Sequence, residues 1–316
     1  MNSRLPTFAH VKAAAKRIKR HVHLTPVLTS QTLNRMTEAN LFFKCENFQK
    51  VGAFKFRGAC NAVFSLSKDE AKHGVATHSS GNHGAAVAMA ARLHGMDSYV
   101  VMPRTASELK KQAVSGYGAQ ITFCEPTLAS REETCAGIVK KTGATEIHSY
   151  NDPRIIAGQG TAALELLEEV PDLDALLAPV GGGGLLSGTA LAASGVNKQI
   201  EVVGVEPEGA NDAYQSFRTG RIVPSVNPKT VADGLLTSLG DLTFAIIMKH
   251  VTDIVTVSES SIVNAMRTVW ERMNIIIEPS SAVPVAALLD GTVDMVGKRV
   301  GVILSGGNVD LDRLPW

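Results

Sequence analysis

The chain has 316 residues, 45% of them hydrophobic, with 31 Lys and Arg against 30 Asp and Glu for a formal charge of +1. Charges this evenly balanced give no reason to expect a nucleic acid partner, and the length is enough for two lobes with buried cores. No run of about twenty apolar residues occurs, which excludes a membrane-spanning helix. Cys45, Cys60, Cys124 and Cys135 are irregularly spaced without a C-x-x-C pair. They suit neither a disulfide framework nor a zinc knuckle, and buried free thiols in a cytoplasmic setting fit them best.

In chain order, residues 1–37 contain no Asp or Glu, and Val11, Ala15, Ile18 and Val22 fall on one helical face opposite Lys12, Lys16, Lys19 and Arg20. A transit peptide shares these features, as does the opening helix of a mature fold. Short apolar runs at residues 41–44, 74–77, 98–102, 120–123, 174–180, 200–205, 253–256 and 299–304 then alternate with helical stretches. This alternation predicts an α/β fold with mainly parallel sheets and helices on both faces, in which ligands sit at the carboxyl ends of strands.

The motifs fall at those ends. Lys55 stands between two aromatics in Gly52-Ala53-Phe54-Lys55-Phe56-Arg57-Gly58. Partial desolvation lowers such a lysine's pKa and frees its amine to condense with a carbonyl; a snorkelling surface lysine is the plainer reading of the residue alone. Gly181-Gly182-Gly183-Gly184, between an apolar strand and an Ala/Leu-rich helix, makes a backbone nest for an anion. No register of it gives G-x-G-x-x-G, and it lacks the Lys-Ser/Thr pair of a P-loop, so a small phosphorylated cofactor fits better than a nucleotide. Thr77-His78-Ser79-Ser80-Gly81-Asn82-His83-Gly84 precedes a small-residue helix and offers hydroxyls, backbone N–H groups and an amide to a carboxylate; an ordinary N-cap would look similar. Val302-Ile303-Leu304-Ser305-Gly306-Gly307-Asn308 is a buried strand ending in a hydroxyl and two glycines.

Together these strings resemble the fold-type-II pyridoxal-phosphate enzymes, which share a tryptophan-synthase-β-like fold, and within them the serine racemase and serine/threonine dehydratase family. The resemblance runs from about Leu24 to the C-terminus and also rests on Phe43-Lys44-Cys45-Glu46-Asn47-Phe48-Gln49 and Ile156-Ala157-Gly158-Gln159-Gly160-Thr161. It implies pyridoxal 5′-phosphate as cofactor, with Lys55 as the Schiff-base lysine and Gly181, Gly182, Gly183 and Gly184 around the phosphate. Asn82 would bond the ring hydroxyl oxygen, Phe54 would pack on the ring, and Ser305 would face the pyridine nitrogen. Ser80 would be the acid/base opposite Lys55, and Ser79, Asn82, His83, Tyr150 and Thr237 would surround the substrate. The expected reactions are L-serine to D-serine, which needs Ser80 on the face opposite Lys55, and β-elimination to pyruvate and ammonia, which a neutral hydroxyl at Ser305 favours because it leaves the ring a shallow electron sink. A homodimer is expected. The resemblance also implies that the N-terminal helix belongs to the mature fold, with a small mobile domain at residues 71–149 inserted in a large one formed by 1–70 and 150–316.

Glu206 and Asp212 flank a tight turn after an apolar strand. Alone they read as a solvated acidic loop or as oxygen ligands for a hard cation. The resemblance favours the cation, magnesium or else calcium or manganese, with the Ala210 carbonyl as third ligand. Arg131 corresponds to an arginine the racemases use on acidic ligands; a guanidinium forks onto a second carboxylate, which keeps threo-3-hydroxyaspartate ammonia-lyase open beside catabolic threonine dehydratase. A solvated helix arginine beside Glu132 and Glu133 is the plainer reading. A β-replacement enzyme and a non-catalytic phosphate-ligand binder are the remaining alternatives. The chain ends at Trp316, soon after Asn308, and no appended regulatory domain is expected.

Overall fold

Each of the eight apolar runs forms a strand within two residues of the expected bounds, because each is a short run rich in β-branched or leucine side chains. The computed structural model describes residues 5–79 and 81–316, apart from the side chain of Leu109. From the N-terminus, α1 (Phe8–Ile18), β1 (Val27–Leu28), α2 (Gln31–Thr37) and β2 (Asn40–Cys45) lead to α3 (Lys55–Phe64) and α4 (Lys68–Ala71). There follow β3 (Val75–His78), α5 (Asn82–His94), β4 (Ser98–Pro103), α6 (Glu108–Gly116), β5 (Gln120–Cys124), α7 (Leu128–Thr142) and β6 (Thr145–Glu146). Next come α8 (Pro153–Glu169), β7 (Ala175–Pro179), α9 (Gly184–Val196), β8 (Glu201–Pro207), α10 (Asp212–Thr219) and α11 (Asp241–His250). The last elements are β9 (Asp253–Val257), α12 (Glu259–Met273), α13 (Pro279–Leu289) and β10 (Arg299–Leu304).

Two sheets result. One has the order β1-β2-β10-β7-β8-β9, parallel except for β1, and the other is all parallel in the order β5-β4-β3-β6. Along β7, Ala175 and Leu177 face α2, α12 and α13, whereas Leu176 and Ala178 face α1, α8, α9 and α11. Burial on both faces explains why β7 is a continuous apolar run rather than an alternating one. Truncating Leu177, fully buried in this layer, would cost roughly 2–5 kcal/mol.

The N-terminal helix is packed into this core through Val11, Ala14 and Ile18. The expected face holds, with Ala15 partly buried against the core, and is widened by the fully buried Ala14; Val22 packs on the core from beyond the helix end. The two-residue strands β1 and β6 were not expected; they are too short to carry a periodicity.

The first turn of α3 is anchored by a buried ion network. Arg57 donates through Nε and Nη2 to Glu46 at 2.7 and 2.8 Å, and through Nη1 and Nη2 to Glu165 at 2.7 Å each. Lys44 adds a second cation, 2.8 Å from Glu165, and Thr25 Oγ1 donates to Glu46 at 2.6 Å. Two cations and two anions neutralise one another, which is the condition for burying any of them. Removing one member would leave an uncompensated buried charge two residues from Lys55.

Candidate active site

Lys55 opens α3, and the N–H of the preceding Phe54 donates to Ser305 O at 2.9 Å, so α3 and the end of β10 are held together. The Lys55 Nζ donates to Ser149 O at 3.1 Å and lies 5.2 Å from the centroid of the Phe54 ring. Burial pulls its pKa down to about 8, partly opposed by the Glu278 carboxylate. Ser305 is buried, and its hydroxyl shares a 3.1 Å hydrogen bond with Ser281 Oγ, which also accepts from Gly306 N–H at 2.6 Å. The side-chain partner of Ser305 is thus itself a neutral hydroxyl.

The glycine run forms the turn from β7 into α9. Gly183 has φ +82°, a left-handed conformation that glycine adopts without a Cβ penalty. A Cβ on Gly182 would collide with the Tyr150 ring. Thr243, fully buried on α11, donates through Oγ1 to Gly182 O at 2.9 Å and so fixes that carbonyl. The first N–H groups of a helix lack intrahelical partners, and at the start of α9 the glycines place no Cβ of their own beside them. These residues fit a phosphate group, and the desolvated Lys55 fits an aldehyde.

Around Lys55 are three histidines, each held below the ordinary imidazole pKa chiefly by burial. His83 falls to about 3; its Nε2 bonds Ile147 O at 3.1 Å, while its Nδ1 is buried without a partner. His148 falls to about 4, and its Nδ1 accepts from the Tyr150 and Asn151 N–H groups at 3.2 and 2.9 Å. His78, 4.0 Å from Glu146, is also lowered. The cluster is therefore neutral near pH 7.

Asn82, expected at the cofactor's ring oxygen, donates through Nδ2 to both Glu278 oxygens at 3.0 Å, and its Oδ1 accepts from Asn308 Nδ2 at 2.9 Å. Glu278 is buried, which raises its pKa to about 7 against the opposing Asn82 and Asn308 contacts. Neither Glu278 nor Thr243 was singled out from the sequence. The signal available for Glu278 was a lone acid between an apolar run and Pro279, at the start of a helix.

The remaining expected residues are placed as follows. Ser79 Oγ accepts from Gly81 N–H at 3.3 Å, while Ser80 lies outside the described residues. Tyr150 packs on Gly182 and Gly184 and has its phenol pKa raised by burial, with the Thr237 hydroxyl opposing the rise. Arg131, on α7, is near enough for its charge to lower the pKa of both Tyr150 and His78.

Glu206, at the end of β8, and Asp212, opening α10, are both buried. Glu206 accepts the Ala213 and Tyr214 N–H groups at 3.0 and 2.8 Å, and burial pushes its pKa up to about 9. Burial also raises Asp212, both of whose oxygens lack a hydrogen-bond partner. The buried Ala210 lies between them in the chain. Among the described residues no three His, Cys, Asp or Glu side chains converge as a metal cluster. Two buried carboxylates, with both Asp212 oxygens orphaned, nevertheless fit a hard cation that completes its shell with carbonyls, hydroxyls and water.

Residues 18–306 match the family model described as pyridoxal-phosphate dependent enzyme. The chain is 54% identical to a β-hydroxyaspartate dehydratase of Paracoccus denitrificans over 99% of both chains. It is 49% identical to an L-threo-3-hydroxyaspartate ammonia-lyase of Saccharomyces cerevisiae, covering 98% of this chain and 95% of that one. Its fold is similar to the crystal structure of serine racemase from Dictyostelium discoideum, with a TM-score of 0.93, 49% identity and coverage of 97% and 99%.

Proposed function

We propose, from the premise that this chain belongs to the pyridoxal-phosphate-dependent enzyme family, that it is a hydroxy-amino-acid racemase and ammonia-lyase. On this reading it interconverts L- and D-serine and converts serine to pyruvate and ammonia. The observation that carries it is the arrangement of Lys55, Phe54 and Ser305: a desolvated amine beside an aromatic ring, tied to a buried hydroxyl whose side-chain partner is another hydroxyl.

When bound, pyridoxal 5′-phosphate would supply an electron sink for the substrate's Cα. The phosphate would be held by Gly181 to Gly184, and the ring by Phe54, Asn82 and Ser305. Lys55 would hold the aldehyde carbon and take the proton from Cα. Ser79, Asn82 and His83 would orient the substrate carboxylate, with Tyr150 and Thr237 along its side. In elimination the Cβ hydroxyl leaves as water, and hydrolysis of the resulting enamine then returns one water and releases ammonia. In racemisation the proton returns from the opposite side, the role assigned to Ser80.

The neutral histidine cluster leaves Arg131 the cation facing Tyr150 and His78, which favours a second reading, threo-3-hydroxyaspartate ammonia-lyase, with Arg131 on the additional carboxylate. The four-stranded unit at residues 71–149 would be the mobile domain that closes on the substrate. Glu206, Ala210 and Asp212 would hold a magnesium ion. A homodimer is the assembly proposed, with exposed Leu24, Phe48 and Ile276 among the apolar side chains open to a partner; a cytoplasmic location agrees with the four free thiols. No helix among the described residues is long and apolar enough to cross a membrane.

The test is a panel of L-serine, D-serine, L-threonine and the hydroxyaspartate isomers, with keto acid and enantiomer ratio both measured. The primary reading expects pyruvate and D-serine from L-serine. Turnover confined to hydroxyaspartate, with Arg131→Ala raising its KM at least about tenfold, would replace it with the second reading. No keto acid or racemisation from any substrate would remove both.

A further inference from the structure

Between α10 and α11 the chain runs from Gly220 to Gly240, with a single 3-10 turn, Asp233–Leu235, as its regular structure. The loop is fixed where it leaves α10: Val223 N–H donates to Ser216 Oγ at 2.8 Å, and Ser216 Oγ donates to Asp212 O at 2.6 Å. Ser225 N–H donates to Ser238 Oγ at 2.7 Å, pinning the first part of the loop to the last. The next residue back from Ser238 is Thr237, whose hydroxyl lies near the Tyr150 phenol.

The Ser225 hydroxyl is buried without a hydrogen-bond partner, and so are both carboxylate oxygens of Asp212, which it approaches without reaching bonding geometry. Leaving one such group unsatisfied costs about 1–3 kcal/mol, more for a charge. A direct Ser225–Asp212 hydrogen bond would satisfy one carboxylate oxygen and leave the other bare. A hard cation, itself or through a bound water, satisfies all three oxygens at once.

Resting on the reading of Glu206, Ala210 and Asp212 as a cation site, we propose that Ser225 is a further group of that site. Its hydroxyl bonds the cation or a water on it, and occupancy thereby sets the loop that carries Thr237 to Tyr150. Ser225 is a positioning residue in this scheme: its backbone N–H passes the constraint to Ser238, and Ser238 passes it to its neighbour.

The experiment uses cofactor-loaded enzyme treated with chelator and titrated with Mg2+. Two signals are followed, the Tm and the rate of tryptic cleavage at the exposed Arg221 and Lys229. In the wild type, Tm should rise and cleavage slow with one shared midpoint, because a ligand bound only to the folded state stabilises it. Ser225→Ala should move that midpoint to about tenfold higher Mg2+ or beyond, as loss of a group supporting a metal ligand does. Ser225→Thr, which keeps the hydroxyl, should stay near wild type, and Asp212→Asn should lose the response. Comparing midpoints rather than absolute Tm separates a binding defect from a general loss of stability. A Ser225→Ala midpoint equal to wild type would overturn the role of Ser225 and leave the cation site standing. A rise in Tm with no slowing of cleavage would overturn its effect on the loop. No Mg2+ response in the wild type would remove the cation reading itself.

Discussion

Burial strips the Lys55 ammonium of hydration, and the Glu278 carboxylate restores only part of that loss, so the pKa settles at about 8. Near pH 7 roughly one lysine in ten is then the free amine, against fewer than one in a thousand for an exposed lysine. The Ser149 carbonyl accepts one N–H and fixes the nitrogen without adding charge. Lys55→Ala should therefore lose the visible band of covalently held cofactor and lower turnover by at least about a hundredfold, the lower range for removal of a general base. Lys55→Arg should not rescue it, since a guanidinium stays protonated and does not condense with the aldehyde. A borohydride-reducible cofactor bond surviving in Lys55→Ala would place the chemistry on another lysine.

The turn from β7 into α9 depends on an element far away in sequence. Thr243, on α11, holds the Gly182 carbonyl at 2.9 Å, and its hydroxyl also accepts from Gly240 N–H at 2.9 Å. Thr243→Val keeps the shape but leaves the Gly182 carbonyl and the Gly240 N–H without that partner, at about 1–3 kcal/mol each. The expected outcome is an apparent cofactor Kd raised about tenfold, read by fluorescence titration of the stripped protein, with Thr243→Ser restoring it. An unchanged Kd would mean that the glycine turn holds its shape alone. This dependence marks where legibility from the sequence stops. The strand ends were legible where a motif combines local turn chemistry with an apolar run: the four glycines follow β7 and Ser305 follows β10, whereas Lys55 opens α3 ten residues past β2. Thr243 was not, because a threonine inside an amphipathic helix carries no local sign of the carbonyl it holds 61 residues away. Glu278 was missed for the same reason, since its contact with Asn82 spans 196 residues.

At the scale of the whole molecule, the buried titratable groups set how stability follows pH, and they oppose one another. His83 and His148 have folded pKa values of about 3 and 4, below the ordinary 6.5, so between those values and 6.5 the unfolded chain binds more protons and stability rises with pH. Lys55, lowered from 10.5 to about 8, acts in the same direction across that alkaline window. Glu278 acts the other way. Its folded pKa of about 7 exceeds the ordinary 4.5, so the folded chain binds the extra proton, and the resulting stabilisation is complete below 4.5 and lost as pH rises through 7. A displacement of this size is worth about 3 kcal/mol. The test compares Tm against pH for wild-type and Glu278→Gln protein, both stripped of cofactor so that only the chain's own groups titrate. Glutamine retains an oxygen for Asn82 but cannot ionise, so the variant lacks the loss between pH 4.5 and 7 while keeping the histidine contribution. Its Tm relative to wild type should climb steadily across that window and level off above pH 8. A difference that stays flat from pH 4.5 to 8 would mean that Glu278 is ionised throughout. The Asn82 and Asn308 donors would then outweigh burial, and the acid facing Lys55 would be a permanent anion.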